Sequence, residues 1–435
     1  MSLFPYQLEG STFLASKPRA CLFDTMGLGK SATAIHAADA IGAKRMLVIC
    51  PAAVRAVWVG ELKKWATLPR RVLKARDVQD LNLWLRDRAD VLVCSYEQAT
   101  NWSQRLGGDL IDAIILDEAH YLKSSDAKRT RSIFSHDCDG KYGLARWGCR
   151  VWCLTGTPNP NDAADIWSLL RFCGATNLTK ARFIDRYYKS RRGVYSSSNT
   201  PRDEMIAELR QAVRSVCMKR TPEQVGLQLP PIHLTTVGID GDTEEIRALL
   251  RGHPGLEASI LEAVEMGGMS FLDAQHIATL RRLVGEAKAP AYVELISEEL
   301  DSGLDKIVIF GIHRKALEIV RDGLARFGVV RIDGDTSERD RVEAVRRFQE
   351  DPDCRVCVAN IKSGGTGLTL TAASRVDMFE SDWAPASNAQ ALKRIHRIGQ
   401  TRECEARFVS LLSSIDEVVS ETVARKTAAI AKVGA

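Results

Sequence analysis

The sequence predicts an α/β fold of two lobes, each with its own parallel β-sheet, and three observations carry that prediction. Short continuous apolar runs recur through both halves and end in small, polar or Pro residues, as strands buried on both faces do. Helical patterns separate them. Pro230 and Pro231 interrupt regular structure after the basic residues Lys219 and Arg220, which places an N-terminal lobe at 1–229 and a C-terminal lobe at 230–435.

Taken in order, the first apolar run covers residues 20–23 and leads into Asp24-Thr25-Met26-Gly27-Leu28-Gly29-Lys30-Ser31, a phosphate loop with aspartate where the general pattern has its first glycine. Gly27 and Gly29 let the backbone curl so that N–H groups and the start of the next helix face phosphates. Lys30 would then reach the β/γ-phosphates of ATP and Ser31 would hold Mg2+. The runs at 47–51 and 91–96 read as further strands of the same sheet. Residues 112–116 form another, delivering Asp117 and Glu118 to a carboxyl end, where open α/β sheets bind ligands. Asp117 would hold the metal and Glu118 would orient the attacking water, with His120 beside them. The run at 151–154 ends in Thr155-Gly156-Thr157-Pro158, a candidate link between nucleotide and nucleic-acid sites.

The second half repeats the architecture with runs at 306–310, 329–332, 355–360 and 407–412. Near its end stands Gln390-Ala391-Leu392-Lys393-Arg394-Ile395-His396-Arg397-Ile398-Gly399-Gln400. Arg394 and Arg397 are three apart, so on a helix both guanidinium groups share a face, and Gly399 sits where such a helix would stop. Helical patterns at 205–216, 243–250, 256–265 and 274–283 lack intervening strands and suggest short protrusions from the lobes. The polar stretch 190–201 reads as a mobile loop, and residues 415–433 read as a closing helix.

Composition narrows the function classes. With 45% hydrophobic and 26% charged residues over 435 positions, there is chain for two cores, and no apolar run reaches transmembrane length. No membrane association is expected. The start of the chain lacks a secretory pattern, which favours an intracellular protein, cytoplasmic in a prokaryote or viral host or nuclear in a eukaryote. A net charge of +5 is only mildly basic, so nucleic acid is not legible from the total. Local pairs are clearer, among them Lys219-Arg220, Arg281-Arg282 and Arg346-Arg347, although each also suits a solvated helix face. Eleven cysteines invite a metal reading. Cys21, Cys50, Cys94 and Cys153 sit in apolar strands as small core residues, and Cys354 and Cys357 have half a zinc spacing with no second pair.

This ordered set resembles the Swi/Snf family of superfamily-two helicase-like ATPases over nearly the whole chain, most closely the annealing-helicase branch and its minimal bacterial and viral relatives. The variant phosphate loop with aspartate first, residues 117–120, the segment 154–158, Ser363-Gly364-Gly365-Thr366 and the late arginine block fall in the family's order. The resemblance implies two RecA-like lobes with an ATP cleft between them. It implies that Pro5-Tyr6-Gln7 is the adenine-recognising glutamine motif, that Arg394 and Arg397 are arginine fingers and that Gln390 lies near the γ-phosphate. Loop residues Gly27, Leu28 and Gly29 would complete the nucleotide site, and His120, Thr155 and Thr157 would couple it to movement.

Nucleic-acid contact is expected at Pro51, Ser95, Tyr96, Ser363, Gly364, Gly365, Thr366 and Trp383. Two positions depart from the family: Trp383-Ala384-Pro385 replaces Trp-Asn-Pro, and Pro222 stands where a basic residue is usual. The implied function is a monomeric, DNA-stimulated ATPase that translocates on double-stranded DNA independently of sequence. The alternatives are an RNA or DNA strand-separating helicase and an ATP-gated DNA clamp or scaffold.

Overall fold

A computed structural model describes residues 2–106, 111–156, 158, 163–192, 197–266, 274–364 and 368–433. The chain forms two compact units, Met1–Leu227 and Gln228–Ala435. In the first, strands β1 (Arg19–Leu22), β2 (Met46–Cys50), β3 (Val72–Lys74), β4 (Val91–Ser95), β5 (Ile111–Asp117) and β6 (Gly148–Leu154) join a two-residue β9 (Cys217–Met218). They pair in the order β3-β4-β2-β5-β6-β1-β9, all parallel. Both faces are buried. Ile114 and Leu116 of β5 enter one core, with Phe134 and Phe172, while Ala113 and Ile115 enter the other, with Ile35 and Trp58. This is why the strands read as unbroken apolar runs rather than alternating ones.

The second unit repeats the plan with β10 (Ile232–Ile239), β11 (Ile307–Gly311), β12 (Val329–Ile332), β13 (Val356–Asn360), β14 (Arg375–Met378) and β15 (Cys404–Leu411) in the parallel order β10-β15-β14-β11-β13-β12. Here too a core lies on each face.

Several expectations change. Within the stretch expected to be a mobile loop, β7 (Tyr188–Arg192) and β8 (Ser197–Pro201) pair antiparallel, from Tyr188 opposite Pro201 to Arg192 opposite Ser197. The helical patterns at 243–250, 256–265 and 274–283 are anchored in the core of the second unit. Ile246, Ile260, Ile277 and Leu280 pack into the same core as Phe310 and Met378, and the helix from residue 274 continues to Asp301, through Pro290. The closing helix, Asp416–Val433, is tied down by Lys426, which donates to Val264 O at 2.9 Å and to Glu265 O.

Candidate active site

Three neighbouring strand ends build the site in the first unit. Strand β6 lies between β5 and β1, so the segments leaving these strands meet at one edge. After β1 comes the phosphate loop. Gly27 and Gly29 have φ of 92° and 78°, in the left-handed region, and Gly29 caps the helix Lys30–Ala40. A Cβ on Gly29 would lie 2.3 Å from Gln7 Nε2, so a side chain there would strain the backbone and push the Gln7 amide off the loop. Gln7 is buried and committed to this loop: its Nε2 donates to Leu28 O at 3.0 Å and its Oε1 accepts from Phe4 N. Lys30 Nζ donates to Asp24 O at 2.7 Å, holding its ammonium against the loop. Ser31 opens the first turn of the helix, half-buried.

Asp24 explains the departure from the general phosphate-loop pattern. Its buried carboxylate receives both arms of Arg220, from Nε at 3.1 Å and Nη2 at 2.6 Å, while Nη1 of the same arginine donates to Tyr6 O and approaches Glu9 at 3.3 Å. One guanidinium therefore joins the loop, the helix carrying Gln7 and the segment after β9. Thr25 N donates to Arg220 O at 3.0 Å, closing the same junction from the backbone. By sequence, Arg220 stands out only as one of a basic pair. The signal was the carboxylate in a glycine's place, which needs a cation, but the partner lies 196 residues away.

After β5, Asp117 Oδ2 accepts from Trp58 Nε1 at 2.7 Å and Oδ1 accepts from Glu118 N at 3.0 Å. Desolvation and the neighbouring Glu118 charge push its pKa up to about 6, against the opposing pull of the Trp58 N–H and Lys30. Glu118 has φ 51° and ψ 50°, a left-handed conformation rare outside glycine and characteristic of sites where geometry is held against local preference. Its carboxylate then reaches sideways. Oε2 lies 3.2 Å from His120 Nδ1 and 3.4 Å from Thr155 Oγ1, and the imidazole and hydroxyl are 3.0 Å apart. Thr155 is fully buried at the end of β6 and its N–H is held by Leu22 O of β1. The structure thus assembles Glu118, His120 and Thr155 into a triangle spanning two strand ends. Thr157 lies outside the described residues.

In the second unit the arginine block differs from the expected geometry. The helix Pro385–Leu392 carries Gln390 but ends before Arg394, so the arginines do not share a helical face. Tight turns come next, with Arg394 N bonded to Ala391 O and Ile395 N to Leu392 O, because fully buried Ile395 is drawn into the core and Arg394 O is taken by Leu370 N. The two side chains still converge. Arg394 Nη1 and Arg397 Nη1 approach the carbonyl of Leu368 at 3.4 and 3.1 Å. Gly399, with φ 99°, serves this turn rather than a helix end.

The residues expected at nucleic acid fare less evenly. Tyr96 is buried, stacked on Tyr121, and donates its hydroxyl to Asp117 O at 2.8 Å, so its side chain supports the carboxylate strand and is withdrawn from any surface. Trp383 is likewise in the core, beneath Arg281 at 4.7 Å, because its apolar ring fills space beside Ile260 and Leu280. Neither side chain can stack on a base. Pro51 is buried, and Ser95 caps the helix Tyr96–Trp102 by accepting from Gln98 N. Ser363 and Gly364 fall in the short helix Ile361–Gly364, and Gly365 and Thr366 lie outside the described residues.

Two family models match the chain. A model of the SNF2-related domain matches residues 6–267, and one of the helicase conserved C-terminal domain matches residues 288–399. A SWI/SNF-related matrix-associated actin-dependent regulator of chromatin subfamily A-like protein 1 from Drosophila melanogaster is 28% identical over 453 residues, covering 99% of this chain and 56% of its own. The DNA annealing helicase and endonuclease ZRANB3 of Mus musculus is 26% identical over 452 residues, covering 98% of this chain and 40% of its own. The chain thus spans about half the length of these relatives. Among solved structures, the Sulfolobus solfataricus SWI2/SNF2 ATPase core in complex with dsDNA superposes with a TM-score of 0.46 at 22% identity, over 100% of this chain and 95% of that one.

Proposed function

Because the chain belongs to the SNF2-related family, we propose that it is an ATP-dependent translocase on double-stranded DNA, in which Lys30, Glu118, Arg394 and Arg397 carry the chemistry. The observation that supports this reading best is the meeting of the phosphate loop with the Glu118–His120–Thr155 triangle at adjoining strand ends. Loop N–H groups and the helix behind Gly29 receive the phosphates, and Gln7 beside Leu28 sets the adenine end. Ser31 and Asp117 supply the hydroxyl and carboxylate oxygens that Mg2+ takes, and the Trp58 N–H orients the carboxylate. A Mg2+ ion held by these oxygens would neutralise phosphate charge.

Glu118 orients the attacking water as general base. His120 and Thr155 hold its carboxylate and carry its state to β6. Arg394 and Arg397 act on the γ-phosphate from the second unit, so closure of a cleft depends on that phosphate and hydrolysis releases it. Gln390 lies near the same phosphate. Alternate closing and release while both units hold the DNA backbone gives movement. Backbone groups at Pro51, Ser95 and residues 363–366 make the DNA contacts, which read no sequence and weaken with salt. The motor acts as a monomer inside the cell. Among the described residues no helix is long and apolar enough to cross a membrane.

ATP hydrolysis measured with duplex DNA, single-stranded DNA and RNA, alongside displacement of a triplex-forming strand, tests the proposal. Stimulation by duplex together with displacement is the expected result. Stimulation by RNA or single strands with unwinding would mean a strand-separating helicase, and stimulation without displacement would mean a clamp.

A further inference from the structure

Among the described residues, the thiols of Cys21, Cys153 and Cys173 converge so that their sulfur atoms all lie within 4.8 Å of one another, with Cys21 and Cys173 Sγ at 3.5 Å. They come from three separate segments: β1, β6 and the end of the helix Trp167–Phe172. Cys217 of β9 pairs in register with Cys21 on the side opposite Cys153 and lies outside this group of three.

A buried cysteine commonly serves as a small apolar residue, and that would account for each position singly. It does not account for the sulfur atoms meeting. Tetrahedral zinc with Zn–S bonds of about 2.3 Å places its sulfurs about 3.8 Å apart, which the observed grouping reaches with shifts of an ångström or less. Disulfides are disfavoured in a reducing compartment, where clustered cysteines more often bind metal. Charge also matters, since zinc with thiolates leaves a net negative centre that an apolar interior would reject unless compensated. Arg19 provides a cation there. Its Nη1 donates to Phe172 O, next to Cys173, at 3.0 Å and to Asp139 O at 2.8 Å, and its guanidinium lies over the Phe172 ring at 4.6 Å.

We propose that Cys21, Cys153 and Cys173 bind a zinc ion through three thiolates, with a water in the fourth position and Arg19 offsetting the remaining negative charge. The ion fastens β1 to β6 and to the end of the helix Trp167–Phe172. Cys21 stands three residues before Asp24, so the centre forms the floor beneath the phosphate loop. Binding displaces the thiol protons to solvent and ties folding of the first unit to the metal. The site rests on the sulfur geometry alone and does not depend on the ATPase reading.

The test is elemental analysis of the untagged full chain, purified without chelator, with cobalt exchange as a second probe. The expected result is about one zinc per chain and, after exchange, the intense visible bands of tetrahedral cobalt with thiolate charge transfer in the near ultraviolet. Cys173→Ser should lose the metal, whereas Cys149→Ser, at an exposed thiol, should keep it. Should Cys173→Ser fail to fold, organomercurial titration of the folded wild-type chain should release the zinc as the cluster thiols react. Folded wild-type protein with neither zinc nor a cobalt spectrum overturns the proposal. So does full zinc content in folded Cys173→Ser, or a Cys21–Cys173 disulfide in place of the metal.

Discussion

Replacing Asp24 by asparagine tests whether the Asp24–Arg220 pair holds the nucleotide site together. The side chain of Asp24 is fully buried and that of Arg220 is 10% exposed, so loss of the carboxylate charge leaves a cation in a poorly solvated place. Breaking a buried pair from one side costs about 3–5 kcal/mol. Arg220 keeps Tyr6 O and the largely exposed Glu9, which argues for the lower end, about 3 kcal/mol. The chain itself provides the assay. Seven of its eight tryptophans lie in the first unit, so fluorescence during urea unfolding of the full chain reports mainly on that unit. Arg220→Gln should destabilise comparably, and the double variant should fall short of the sum by about 2 kcal/mol or more, because the second change removes a charge already without its partner. Effects that add within about 0.5 kcal/mol would refute the pairing as an energetic unit.

Glu118→Gln should preserve folding and the contacts to Thr155 and His120 while reducing DNA-stimulated ATP hydrolysis by about a hundredfold or more, and normal turnover in the folded variant would remove Glu118 from the water-positioning role. Arg397→Ala should retain ATP binding and lose turnover by about a thousandfold; an equal loss of ATP affinity would place it in ground-state binding instead. Glu380 gives a pH prediction for the second unit. Burial alone would raise its pKa, but the His313 imidazole at 2.6 Å and the N–H groups of Ile312 and His313 hold it below the ordinary value of 4.5. Its stabilising contribution is therefore present above about 4.5 and lost as pH falls through the lower folded value. Glu380→Gln should cost about 1.5–3 kcal/mol at neutral pH in calorimetry, and a gap from wild type that stays constant as pH drops below 4.5 would contradict this.

The local chemistry of the site was legible in the chain because each piece is contiguous. Gly27 to Ser31 specify a phosphate loop through backbone freedom and one ammonium, and Asp117 with Glu118 terminate an apolar strand that has only one place to end. Hence the phosphate loop and the carboxylates followed from residues 20–31 and 112–118, and the two parallel sheets from the apolar runs of both halves, without coordinates. Periodicity was weaker where packing decides. The patterns at 243–250, 256–265 and 274–283 read as short protrusions because no strand intervenes between them, and the structure packs Ile246 and Ile277 into the core with Phe310.

Tertiary structure alone decided the contacts between segments far apart in the chain. Asp24 meets Arg220, Glu118 meets Thr155, and Cys21 meets Cys173 across 152 residues, pairings set by strand order rather than by spacing. The same holds for Tyr96 and Trp383, whose aromatic character is compatible with a surface platform or with a core. Strand order chose the core by placing Asp117 O above one hydroxyl and Ile260 beside the other ring. The Arg394–Arg397 spacing set two guanidinium groups near each other, but the burial of Ile395 ended the helix and aimed both at Leu368 O. A sequence carries its own backbone preferences and charges; which distant charge or cavity each one meets is settled only when the sheet is assembled.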